Sequence, residues 1–333
     1  MMRLPPARGP ITEALFGTLE GPPGATPLDA AVAALGADFD NEDTQLALFA
    51  CYELHYQGFD DVDDRWEWDP ELLTLRASLE RRFERYLAAV VPHTESVEPS
   101  LVRAALVALT EADEGPPLSL FLQREADLDH FREFVTHRSI YHLKEADPHT
   151  WAIPRLSGAP KAALVEIQSD EYGGGRRERM HSELFRTTMR GLGLDDSYGA
   201  YLHRVPGVTL AVSNVMSLFG LHRRWRGALL GHLAALEMTS SLPNRRYATG
   251  LRRLGIEPAV VRFYDEHVQA DAAHEQIAAN DMCGQFAAAF PECTGDILYG
   301  AACALELERR WAEHVLGHWR RGTDSLLPRR VPA

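Results

Sequence analysis

In the segment Phe263 to His274, FYDEHVQADAAH, the side chains His267, Asp271 and His274 stand at i, i+4 and i+7. At roughly 100° per residue they fall within about 60° of one another on a single helical face. Neutral imidazole with carboxylate is the ligand chemistry of non-haem iron, manganese or zinc, and of the three iron best suits oxidative chemistry. The same spacing also serves an amphipathic helix with solvated histidines. A metal reading therefore needs further ligands from elsewhere in the chain.

Three other stretches offer them. Glu171 is followed by Gly173-Gly174-Gly175 and then by Arg176 to His181. In an unbroken helix Glu171 and His181 would lie about 15 Å apart along the axis and some 80° apart around it, too far for one ion. Each glycine costs on the order of 1 kcal/mol in a helix, so the triplet marks a break that folds the chain inward and brings the two together. A plain loop with Glu171 as a surface cap is the alternative. Glu237 follows the apolar series Leu229, Leu230, Leu233 and Leu236, so unless its face is solvated its carboxylate must be paired, protonated or metal-bound. Glu145 closes the first bundle helix, as a ligand or as half of a Lys144/Glu145 charge pair before Pro148.

These side chains need helices to hold them, and the sequence supplies little else. Helical periodicity covers 28 to 36, 42 to 58, 70 to 91 and 100 to 112, then 124 to 146, 160 to 171, 176 to 192, 207 to 220, 223 to 240, 243 to 254, 257 to 278 and 292 to 319. No alternating β-branched run is bounded by hairpin turns. The expected fold is all-α, a bundle with carboxylates and histidines projecting inward from facing helices, which is the recipe for a di-iron centre. Paired prolines and glycines in 1–27 suggest a flexible arm; 28–117 reads as an N-terminal helical extension, 118–322 as the bundle after the Gly115-Pro116-Pro117 breaker, and 323–333 as a tail. The extension could cover a cavity mouth, enlarge the core or mediate a homodimer.

Composition narrows the partners. A chain of 333 residues with a formal charge of −14 does not suit nucleic acid or an anionic membrane, which reward a basic face. The longest uncharged run, Val205 to His222, is interrupted by Pro206, Ser213, Asn214, Ser217 and Gly220, and reads as a core helix rather than a membrane span. Cys51, Cys283, Cys293 and Cys303 have no CxxC spacing and no apolar leader follows Arg3, so a cytoplasmic protein is expected.

The order Glu145, Glu171, His181, Glu237, then His267-x3-Asp271-x2-His274 resembles the haem-oxygenase-like di-iron oxidases and oxygenases, often labelled iron-containing redox enzymes, over roughly residues 120 to 320. The resemblance implies a haem-oxygenase-like helical bundle that binds two non-haem irons instead of haem. It implies dioxygen as co-substrate, an external electron donor and a small-molecule substrate. Known members N-oxygenate amines, cleave fatty acids to terminal alkenes or oxidise their own side chains. A glutamate on the first bundle helix is a usual ligand, matched by Glu145. Glu171 looks like the extra carboxylate of the N-oxygenating branch, which this chain resembles most closely. For substrate the sequence offers Asn214 and Met216, with Val212, Phe219 and Ser217, as cavity lining, and Arg245 and Arg246 as a clamp for a carboxylate. A metal-free binding or scaffold protein of the same fold is the competing expectation.

Overall fold

Helix Gly207–Leu221 is buried at every position from Thr209 to Gly220. A helix buried all round must be a core element, and the helices at 42–53, 128–142, 147–150, 226–253 and 294–320 pack on it. The computed structural model describes residues 2–36, 41–112 and 114–328, with the backbone alone for 269–273. In chain order the helices are α1 (Pro10–Leu19), α2 (Asp29–Ala33), α3 (Glu42–Glu53), α4 (Pro70–Val90), α5 (Val102–Glu111), α6 (Leu118–Arg124), α7 (Leu128–His142) and α8 (Asp147–Thr150). They continue with α9 (Gly158–Glu171), α10 (His181–Gly191), α11 (Gly207–Leu221), α12 (Arg226–Arg253), α13 (Pro258–Gln276), α14 (Gln285–Ala289) and α15 (Thr294–Arg320). A π-helical stretch, Ile277–Gly284, joins α13 to α14. No strand occurs among the described residues, and none of their helices is long and apolar enough to cross a membrane.

The segments upstream of residue 118 share the bundle's core. Helix α3 lies along α11, where Asn214 Nδ2 donates to the Gln45 carbonyl at 3.0 Å and to Gln45 Oε1 at 2.8 Å. Glu42 accepts from Gly207 N at 2.7 and 2.8 Å, setting a carboxylate on the otherwise unsatisfied N-terminus of α11.

Helices α12 and α15 cross backbone to backbone. A Cβ on Gly231 would come 1.8 Å from the Ile297 carbonyl oxygen, and one on Gly300 would come 1.9 Å from that of Ala228. Only glycine at both positions permits this approach.

Three expectations are corrected. Where a loosely held arm is expected, α1 starts on Pro10, buries Ile11, Leu15, Phe16 and Leu19, and has its Ile11 and Thr12 amides capped by Asp43 at 2.8 and 2.9 Å. Proline at the first helical position starts a helix, and the apolar stripe then docks it. The tail is anchored at 325–327: Ser325 is buried on His137 Nε2 at 2.9 Å, and Leu327 N donates to the Arg204 carbonyl at 2.7 Å. Finally, 226–253 is one helix with Pro243 inside it, not two. Packing against α6, α13 and α15 outweighs the hydrogen bond that proline removes.

Candidate metal centre

Helix α9 ends on Glu171, and the three glycines that follow have φ of +65°, +60° and +76°. A Cβ on Gly173 would sit 2.6 Å from the Arg179 carbonyl carbon and the Met180 nitrogen. The chain reverses tightly there, and His181 becomes the first residue of α10 rather than part of a helix begun at 176. Glu145 lies just past the end of α7. Its neighbour Lys144 turns the other way, pairing with fully buried Glu53 at 2.7 Å over the rings of Phe49 and Tyr56. Tyr198 donates to the other Glu53 oxygen at 2.7 Å. Lys144 and Glu145 are therefore not a pair, and Glu145 is left to the imidazoles around it.

Two groups of side chains that could hold a metal ion result. Glu145, Glu171, His181 and His267 offer atoms that all lie within 4.8 Å of one another, as do Glu171, Glu237 and His274. All six are buried or nearly so, and Glu171 belongs to both groups. His267 and His274, two turns apart on α13, serve one group each. The Asp271 side chain lies outside the described residues.

The donor atoms lie close together, but several are not satisfied by hydrogen bonds. His181 Nδ1 stands 2.9 Å from Glu171 Oε2, and His274 Nδ1 stands 3.3 Å from Glu237 Oε2. Yet His181 Nδ1, Glu171 Oε2, His274 Nδ1 and Glu145 Oε2 are all buried without a hydrogen bond of acceptable geometry. Buried polar atoms are rarely left so, and an ion held by them removes the deficit. His267 Nδ1 lies 2.8 Å from the Phe263 carbonyl, which assigns the proton to that nitrogen and leaves the Nε2 lone pair facing Glu145 at 3.5 Å.

Electrostatics lead to the same place. Burial drives the Glu237 carboxyl up. Burial also opposes charge on Glu145 and His181, but His142 and His267 hold Glu145 well below the usual carboxylate range, and Glu171 raises His181. For His274, burial is outweighed by Glu237 and Asp170, and its pKa rises to about 9. Three carboxylates in a buried site call for compensating positive charge, which bound cations would supply with their ligands deprotonated.

A cavity of about 260 Å³ opens onto this centre, bounded by Glu145, Glu171, Glu237 and His267 at one side and by apolar residues such as Leu233, Leu236 and Ile167. The residues expected to line it do not. Asn214 spends its donors on Gln45, and Met216 with Val212 packs into a separate small void beside His232. Arg245 is exposed, and Arg246 reaches Ser119 at 3.0 Å. Asn214 and Met216 sit on α11, and of the two arginines on α12 only Arg246 comes near the cavity, through its bond to the lining residue Ser119.

Two contacts escaped sequence reasoning. His142 Nδ1 lies 2.8 Å from Glu145 Oε1 and orients it, a contact the i, i+3 spacing could have suggested. Asp170 Oδ2 lies 3.1 Å from His274 Nε2, holding that ring from behind. Nothing in local sequence signals the second.

An all-helical bundle with a buried carboxylate and imidazole cluster defines the class. Residues 132–309 match the family model of iron-containing redox enzymes, and the chain belongs to that family. Among curated proteins it is similar to a nitrosourea synthase from Streptomyces achromogenes subsp. streptozoticus, 26% identical over 138 residues, 41% of this chain. The match spans only 29% of that protein's length. Among solved structures it is similar in fold to a CADD-like protein of unknown function from Nostoc punctiforme PCC 73102, with a TM-score of 0.52 and 16% identity, covering 65% of this chain and 97% of that one.

Proposed function

We propose that the protein is a non-haem di-iron, dioxygen-activating oxidase or oxygenase of a small molecule, that it N-oxygenates an amine in specialised metabolism, and that it works in the cytoplasm with an external electron donor. The observation that carries the reading is the pair of buried ligand groups sharing Glu171. Glu145, His181 and His267 would hold one ion and Glu237 and His274 the other, with Glu171 common to both. Bound as ferrous ions, the pair supplies electrons for the reduction of dioxygen. The chain's own residues do the rest. His142 and Asp170 fix the rings and carboxylates, Phe263 sets the His267 tautomer, and Leu233, Leu236 and Ile167 keep water from the cavity wall. N-oxygenation draws support from the likeness to a nitrosourea synthase, whose named product bears a nitrogen–oxygen bond.

Iron counted after anaerobic reconstitution tests the reading. About two irons per chain, falling on Glu171→Ala, are expected. Dioxygen uptake should then quicken with some amines in a panel and not with matched alcohols. A chain that takes up no iron from excess would instead be the metal-free scaffold.

A further inference from the structure

The cavity has a second polar end. Arg138 and Glu308 line it, joined by two parallel hydrogen bonds of 2.7 Å from Nη1 and Nη2. The guanidinium lies 3.8 Å over the Trp311 ring. Tyr264, also in the wall, is 1% exposed, and its hydroxyl has no hydrogen-bond partner. A cation, an anion and a spare hydroxyl thus line one largely apolar chamber. Arg138 lies four residues, about 6 Å at 1.5 Å per residue, before the last residue of α7, and Glu145 lies beyond that helix end. The Arg138–Glu308 pair and the candidate metal ligands therefore line different stretches of one cavity.

We propose that Arg138, Glu308 and Tyr264 form a subsite for the zwitterionic headgroup of an α-amino acid, whose long side chain runs along the apolar walls towards the metal centre. The choice of ligand follows from charge. A lone carboxylate on Arg138 would face Glu308, and a lone ammonium on Glu308 would face Arg138. A zwitterion laid antiparallel to the pair meets an opposite charge at both ends. Capacity is available, since a guanidinium has five N–H donors and a carboxylate about four acceptor positions, and the mutual pairing uses two of each. Tyr264 adds a donor that is left unsatisfied without a ligand. The stacked, bidentate arginine is held in place beforehand, so little side-chain order is lost on binding.

This inference rests on the di-iron reading for the destination of the side chain, but the headgroup subsite can be tested apart from it. Binding of L-norleucine, pentylamine (no carboxylate) and hexanoate (no amine) would be measured by calorimetry on the metal-free full-length chain, where no iron can capture a carboxylate. Norleucine should bind tighter than either analogue, on the order of 30-fold or more, as expected when one partner of a buried charge pair is removed. The double variant R138Q/E308Q, which leaves no lone buried charge, should bring the three compounds to similar affinity. Tyr264→Phe should weaken norleucine several-fold and pentylamine less. Equal affinities in the wild type, no binding of norleucine at millimolar concentration, or selectivity that survives in both variants would overturn the proposal. Two irons per chain without norleucine binding would refute the subsite and spare the di-iron reading. Selective norleucine binding without iron uptake would do the reverse.

Discussion

The reversal between Glu171 and His181 can be perturbed at one atom. Gly173 and Gly174 share a left-handed backbone, at φ +65° and +60°, so alanine at either should cost about 1–2 kcal/mol from backbone conformation alone. Their surroundings differ. A Cβ at Gly174 meets nothing within 4 Å, whereas one at Gly173 falls 2.6 Å from the backbone of Arg179 and Met180. Ordinary contact begins near 3.4 Å, so in Gly173→Ala the residues just before His181 must retreat by about 0.8 Å. Metal–ligand distances tolerate about 0.2 Å. Gly174→Ala should lower the melting temperature of the metal-free chain by a few degrees and keep its iron. Gly173→Ala should lower it further, and its first ligand group, which includes His181, should lose iron affinity by about 10-fold or more. Anaerobic iron titration beside thermal unfolding measures both. If the two variants bind iron alike, the glycine turn does not set the His181 position and the reasoning fails.

Three further outcomes are expected. His142→Phe keeps ring volume but removes the 2.8 Å contact to Glu145, so iron affinity should fall about 10- to 100-fold with little change in fold, as chelator competition would register. Glu53→Gln strands the Lys144 ammonium, 3% exposed, and should cost about 3–5 kcal/mol in urea unfolding; a loss under 1 kcal/mol would mean that the cation reaches water. His149 is buried against His232 at 3.3 Å, and burial lowers its pKa to about 4. The unfolded chain therefore binds a proton below pH 6.5 that the folded chain refuses until about pH 4. This stability is present above 6.5 and lost on acidification, by about 3 kcal/mol at 1.36 kcal/mol per unit. His149→Phe should flatten the metal-free protein's stability profile between those values, and an unchanged slope would contradict the assignment.

By itself the sequence determined the helical character and the core nature of α11, and it offered the candidate ligand types in their order. Each follows from local information: period, the absence of charge, and the i, i+4, i+7 spacing along α13. The glycine break after Glu171 was legible for the same reason, because three glycines say locally that a helix cannot continue. What the tertiary structure alone decided is where free valences go. Lys144 beside Glu145 predicts a charge pair equally well, until Glu53 arrives from α3 to take the lysine. Arg245 and Asn214 carry suitable chemistry, but Arg245 is exposed on α12 and Asn214 is bonded to Gln45 of α3, while Arg138, Glu308 and Tyr264 come from three distant helices to line the cavity. The placing of Glu171 within reach of both candidate groups is of the same kind. Residue type fixes what a side chain can bind, but which partner it meets depends on helix packing that no short window of sequence contains.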